Sequence, residues 1–252
     1  MTETGTREVD SRFLMGTGIF ITGTDTGVGK TLVACGLAAL LRESGYKVGV
    51  MKPAETGCEE RDGKLFPQDA FYLKEASGCA EPLEKICPYR LKEPLSPSVA
   101  AERSGVKIDI SLLEKIYGEI SSAHDITLVE GAGGLLVPIL PSFTYADLAK
   151  LLKLPLLVVA ANRLGAINHL LLTLEHASCL GLRVLGYVFN RLTSEPSLAA
   201  DTNQEALLSL TAVPCLGEIP YIEDLQTQRS SLAGLFEERL DLEPLDVVLP
   251  SR

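Results

Sequence analysis

The sequence predicts an α/β fold: one parallel sheet covered by helices on both faces. Three observations predict it. Apolar runs of strand length recur at residues 18–22, 125–130, 154–161 and 184–190. They alternate with helical patterns at 32–41, 109–123, 166–180 and 196–210. The first run also passes through a glycine-rich turn directly into its helix, the arrangement of a βα unit. A strand that is apolar at every position is buried on both faces, which a helix on each side provides. No composition shift marks a linker, so the expectation is a single domain over 17–240, with a polar leader at 1–16 and a tail at 241–252.

The turn after the first strand reads Gly23-Thr24-Asp25-Thr26-Gly27-Val28-Gly29-Lys30-Thr31, with Leu32 opening the apolar part of the helix. Glycines let backbone N–H groups wrap a triphosphate, and the helix start adds its positive end. Lys30 can reach the β- and γ-phosphates, and Thr31 can hold Mg²⁺. Strand, loop and helix in this order read as a P-loop NTPase-type fold with a nucleotide triphosphate site. In the strict G-x-x-x-x-G-K-[ST] pattern the first glycine would stand at position 24, which is Thr24 here.

Beyond a turn at Ser44-Gly45-Tyr46, residues 47–51 read as a second strand whose carboxyl end is Lys52-Pro53. Open α/β sheets bind ligands at that end, so Lys52 is a candidate site residue beside the ordinary reading of a solvated lysine. Residues 53–67 read as a loop carrying Thr56. Asp69 opens a helix at 70–76, either as its N-cap or as a metal ligand. Residues 82–97 are proline-rich and irregular, and Ser96-Pro97-Ser98 starts a short helix reaching about residue 103. Long ordered loops of this kind carry substrate contacts, which makes Ser96 a candidate. The strand at 125–130 ends on Glu130, followed by Gly131, Ala132, Gly133 and Gly134. A carboxylate there, beside glycines that admit a close backbone approach, suits the second acidic ligand of a Mg·nucleotide. His169 and His176 are ordinary helix residues with no third ligand nearby, and His124 is a turn residue. A last short strand at 213–216 precedes Gly217-Glu218-Ile219-Pro220.

Hydrophobic residues make up 46% of the chain and charged residues 22%, ample for a core. The formal net charge of −10 argues against a nucleic-acid groove or an anionic membrane surface as the main partner. Six cysteines without a C-x-x-C pair indicate neither a zinc site nor a disulfide framework. With no membrane span or signal pattern, a cytoplasmic location is expected.

Together these motifs resemble the dethiobiotin synthetase family over about residues 18–221. The likeness rests on the loop at 23–31, Lys52-Pro53 with Thr56-Gly57, Asp69, Ser96-Pro97 and the run from Val129 to Gly134. It is completed by Leu164-Gly165-Ala166-Ile167-Asn168-His169, Asn190 and Gly217-Glu218-Ile219-Pro220. The Gly-Thr-Asp-Thr opening of the loop is itself the family's version. The resemblance implies that 7,8-diaminopelargonate, CO₂ and ATP give dethiobiotin, ADP and phosphate through a carbamate and a carbamic-phosphoric mixed anhydride. It implies that Thr31, Asp69 and Glu130 hold Mg²⁺, and that Lys30 and Lys52 flank the carbamate and γ-phosphate. It further implies that Thr56 meets the diamine, and that Asn190 with Ile219-Pro220 meets the adenine. The substrate carboxylate would lie at the helix start formed by Gly165, Ala166, Ile167 and Asn168, which in the family comes from the second subunit of a homodimer. Gly27 departs from members with a glutamate there. The main competing class is the nucleotide-switched partitioning ATPases, but those carry a lysine where this chain has Asp25. Amidotransferase ligases of cobalamin synthesis would require a glutaminase domain for which no length remains.

Overall fold

A computed structural model of the chain describes residues 17–223 and 231–250; the leader expected at 1–16 lies outside the described residues. In chain order the elements begin with β1 (Thr17–Gly23), α1 (Lys30–Glu43), β2 (Val48–Met51), β3 (Ala54–Thr56), β4 (Glu59–Arg61), β5 (Lys64–Phe66) and α2 (Gln68–Ser77). There follow α3 (Leu83–Ile86), β6 (Tyr89–Leu91), α4 (Pro97–Ser104), α5 (Ile110–Ser122), β7 (Ile126–Gly134), β8 (Pro138–Leu140), β9 (Phe143–Thr144) and α6 (Tyr145–Leu151). The chain continues through β10 (Leu156–Ala161), α7 (Ala166–Cys179), β11 (Val184–Asn190), α8 (Leu198–Leu208), β12 (Cys215–Ile219), α9 (Leu232–Arg239) and a 3₁₀ turn (Glu243–Val248).

Six strands form the expected parallel sheet in the order β12-β11-β10-β1-β7-β2. Side chains alternate across it, as a period of two requires. On β1, Ile19 and Ile21 join the core under α1 and α9, whereas Phe20 joins the opposite core with α5 and α6. On β10, Val158 and Ala160 pack with Leu170 and Leu174 of α7. The chain moves from β1 to one side of the sheet and returns to its other side at β10. The carboxyl end of β1 is therefore the switch point where an open α/β sheet binds ligands.

Several expectations change. The loop expected at 53–67 contains β3, which pairs in parallel with β6, and the antiparallel hairpin β4–β5. The irregular stretch at 82–97 thus contributes a helical turn and a strand. β7 does not stop at Glu130 but runs through the glycines to Gly134, because Gly134 still pairs with Gly23 of β1. The last strand lies later than expected and contains Gly217, Glu218 and Ile219. Asp69 is not an N-cap: Pro67 holds that position and Asp69 lies in the first turn of α2. Residues 135–153, to which the sequence assigned nothing, form a small hairpin and α6, which starts on a Thr144–Asp147 capping box.

The expected tail also changes character. Asp241 N–H bonds Leu216 O at 2.7 Å, and Leu242, Leu245, Val248 and Leu249 pack on the core, so residues 241–249 belong to the domain. α9 lies against α1, where Phe236 is fully buried. A Cβ on Gly36 would stand 2.2 Å from that ring, which explains a glycine inside a helix. Phe236→Ala should therefore cost about 3–5 kcal/mol in a urea melt. A loss below about 1 kcal/mol would mean that α9 is not part of the cooperative core.

Candidate active site

The loop after β1 ends on Gly29, whose left-handed φ of 94° turns the chain into α1. A side chain there would also strike Asn190, since a Cβ would lie 2.0 Å from Nδ2. Asn190 stands at the end of β11 and donates Nδ2–H to Val28 O at 3.0 Å, tying the loop to a second strand. The Lys30 ammonium curls back to Asp25 O at 3.1 Å. Burial, reinforced by the neighbouring Lys52 charge, lowers the Lys30 pKa to about 8.

Beside the loop lies a cluster of charges from the end of β2, the first turn of α2 and the middle of β7. The Lys52 ammonium, 2% exposed, bonds Glu130 Oε1 at 2.5 Å and meets Asp69 Oδ2 at 3.1 Å. Burial opposes its charge, but Glu130 and Asp69 hold Lys52 well above the usual lysine range. Burial raises Glu130 against the pull of Lys52. Asp69 is lowered: burial acts upward on it, and the Lys52 charge with its hydrogen bond more than offsets that. Thr31 Oγ1 donates to Glu130 Oε1 at 2.9 Å, while Glu130 Oε2 is buried with no hydrogen-bond partner. A buried carboxylate oxygen left unpaired is costly, and it belongs to the residue whose other oxygen accepts from Thr31 and Lys52.

A cavity of about 560 Å³ collects these groups. It brings together Gly27, Gly29, Lys30, Thr31, Lys52, Thr56, Asp69, Ser96, Glu130, Ala132 and Gly133. Gly131 touches the cluster through its carbonyl, which accepts from Lys52 at 3.3 Å. Val28 is buried in the core and Leu32 packs against it, so neither side chain lines the cavity. Asn190, Ile219 and Pro220 also stand apart from its walls, as do Gly165, Ala166, Ile167 and Asn168 at the start of α7. Of the wall residues that the sequence reading did not single out, Pro94, Leu95 and Val137 are apolar and Glu55 is charged. Glu55 of β3 is 5% exposed and accepts from the N–H groups of Asp69 and Ala70 at 2.9 and 3.0 Å. Burial, then the Asp69 charge, push its carboxyl up to about 7. The region holding Glu55 reads as a loop, and a cap supplied from fourteen residues away leaves no local signature.

A parallel sheet whose first strand ends in a glycine loop, with Lys-Thr at the helix start and a carboxylate on the neighbouring strand, defines a P-loop nucleotide-binding protein. A family profile described as AAA domain matches residues 17–229. Among named relatives, the chain is 40% identical over 223 residues to the ATP-dependent dethiobiotin synthetase BioD of Anaeromyxobacter sp. (strain K), covering 88% of this chain and 98% of that one. It is 38% identical to the BioD of Thermodesulfovibrio yellowstonii, covering 92% and 99%, and 42% identical to that of Bacillus licheniformis, covering 82% and 87%. The chain belongs to the ATP-dependent dethiobiotin synthetase family. Among solved structures it resembles the septum site-determining protein MinD complexed with Mg-ADP from Pyrococcus horikoshii, with TM-score 0.56, 20% identity, and 88% and 86% of the chains covered. A ParA family ATPase from Chlorobium tepidum gives TM-score 0.53 at 17% identity, covering 88% and 92%. At these identities the likeness is one of fold, and the partitioning class is a distant structural relation. Among the described residues no helix is long and apolar enough to cross a membrane.

Proposed function

We propose that this chain makes dethiobiotin from 7,8-diaminopelargonate, CO₂ and ATP in the cytoplasm. The observation that carries the reading is the convergence of Lys30 and Lys52 with Thr31, Asp69 and Glu130 in one cavity, within a chain of this family. One substrate amine adds to the carbon of CO₂ and loses a proton, giving a carbamate. A carbamate oxygen takes the γ-phosphoryl group and ADP leaves. The second amine then attacks the carbamate carbon, loses its proton, and expels phosphate as the ring closes.

No side-chain nucleophile is needed, so the protein's contribution is positioning and charge. Lys30 and Lys52 flank the carbamate and the transferring phosphoryl group, both anionic. Thr56 and Ser96 line the wall where the diamine lies. Mg²⁺ fits the oxygen donors Thr31, Asp69 and Glu130, and the unpaired buried Glu130 Oε2 is the observation favouring it. When bound, the cation neutralises charge on the β- and γ-phosphate oxygens. Asn190 Oδ1 is likewise buried without a partner, while its Nδ2 is committed to Val28, leaving an acceptor suited to the adenine amino group beside Ile219 and Pro220. Where some members place a glutamate, Gly27 leaves open space.

The reading includes a homodimer with shared sites. A shallow cleft of about 460 Å³ runs from the loop to α7, with Leu136 and Leu172 more than half exposed on its rim. A second subunit would cover that apolar rim and bring its own Gly165–Asn168 helix start to the cavity.

The deciding experiment incubates the protein with diaminopelargonate, bicarbonate and Mg·ATP and seeks dethiobiotin by mass, with ATP cleavage requiring both other substrates. Brisk ATPase activity that ignores both would favour a nucleotide-switch protein instead. Lys30 adds a pH signature. An ammonium of pKa about 8 is only about one quarter charged at pH 8.5, so pairing it fully with phosphates draws in about three quarters of a proton. ATP binding should thus weaken as pH rises through about 8. Calorimetry in two buffers of different ionisation heat should show the proton uptake at pH 8.5, and its absence would detach Lys30 from the phosphates.

A further inference from the structure

The first turn of α2 lacks a cap of its own. Pro67 at the N-cap position offers no side-chain acceptor. Phe71 N–H is taken by Pro67 O at 3.0 Å, which leaves the earlier N–H groups of the turn to find partners elsewhere. Glu55 supplies them from β3: Oε1 accepts from Asp69 N–H at 2.9 Å and Oε2 from Ala70 N–H at 3.0 Å. This pair of bonds is specific in a way an ordinary cap is not. Asp69 is held at its backbone by Glu55 and at its side chain by Lys52, at 3.1 Å.

The cost of this arrangement is an argument for its purpose. A third carboxylate is buried in a cavity that already holds Asp69 and Glu130 around a single paired lysine. A helix start can be capped more cheaply by a serine, threonine or asparagine at the N-cap itself. The bonds from a carboxylate to two N–H groups at a helix start are charge-assisted, hence short and directional. They fix the turn that aims Asp69 into the site. Glu55 has both oxygens engaged in this way, one with each N–H.

We infer that Glu55 is a positioning residue: it clamps the first turn of α2 so that the Asp69 carboxylate is held ready for the metal-bound nucleotide. The inference rests on the reading of Asp69 as a metal ligand. Residues that orient a ligand from behind commonly change metal affinity by about tenfold or more when removed.

The test uses the full chain, ATP and Mn²⁺ as the probe metal, with free Mn²⁺ read by electron paramagnetic resonance. In Glu55→Ala the Mn²⁺ dissociation constant in the presence of ATP should rise about tenfold, while metal-free ATP binding stays unchanged. Turnover lost at low Mg²⁺ should return as Mg²⁺ is raised, a rescue that a merely structural role would not give. Glu55→Gln, which keeps the shape and one acceptor, should fall between the two, and it carries the test if Glu55→Ala does not fold. Asp69→Ala separates the two readings. If Asp69→Ala weakens Mn²⁺ binding and the Glu55 variants do not, the positioning role is overturned and the proposed function stands. If Asp69→Ala leaves Mn²⁺ binding unchanged, the assignment of Asp69 as ligand fails and the inference falls with it.

Discussion

Lys52→Ala is expected to reduce ring closure by about two to three powers of ten while leaving Mg·ATP binding largely in place. Lys52 follows β2 and is no part of the loop before α1, so its removal spares the loop's own contacts with the nucleotide. What is lost is a buried ammonium, 2% exposed, which under the proposed function stands beside the developing negative charge of carbamate and phosphoryl group. The variant also leaves Glu130 and Asp69 without the cation they share. The metal-free protein should therefore melt lower than the parent, and Mg²⁺ should restore more stability to the variant than to the parent. Lys52→Arg should fail nearly as badly, because a planar guanidinium does not fit the compact space between two carboxylates. Single-turnover product formation together with calorimetric ATP binding checks both halves. Near-normal turnover in Lys52→Ala would return Lys52 to the role of a structural partner of Glu130.

The parts of this site that could be read from the sequence are those built within one βα unit or at one strand end. The loop, Lys30, Thr31, Lys52 and Glu130 are fixed by local order: an apolar run, then the residue that the sheet must deliver at its carboxyl edge. Less legible were features made by distant segments. β3 finds its partner β6 across more than thirty residues, so Glu55 was hidden in an expected loop. Asp69 looked like a cap because its spacing before the helix was right. Its cap duty is instead performed by Glu55, which frees the Asp69 side chain to face Lys52. The 144–147 capping box, by contrast, is a local signal, a threonine with an acidic residue three positions on. The packing of Phe236 onto Gly36 was beyond local reading, since neither residue announces the other.

The second large effect expected concerns two chains. A diamine linked by several methylenes to a carboxylate needs an anion site some distance from the phosphate loop, and among the described residues the only ammonium groups lining the cavity, Lys30 and Lys52, lie at the phosphate end. At the start of α7 Ala166 N–H is taken by Arg163 O, which leaves Ile167 and Asn168 N–H with the positive end of a fourteen-residue helix, but in its own chain this start stands apart from that cavity. The partner's copy would complete the site. To block it, Ala166 is unsuitable because it is buried in the core with Leu170. Asn168 is exposed, and Asn168→Glu places a negative charge where the substrate carboxylate would lie while favouring the helix start itself. Lys52→Ala and Asn168→Glu proteins should each be nearly inactive at low substrate. A heterodimer of the two contains one site with both defects and one with neither. Co-refolding equal amounts makes about half the dimers mixed, so about a quarter of the sites, and of parental activity, should return under the proposed sharing. If lysine and helix start served the same site within one chain, every site in the mixture would keep a defect. A mixture shown by native mass spectrometry to contain heterodimers, yet no more active than its parents, would rule out the shared site.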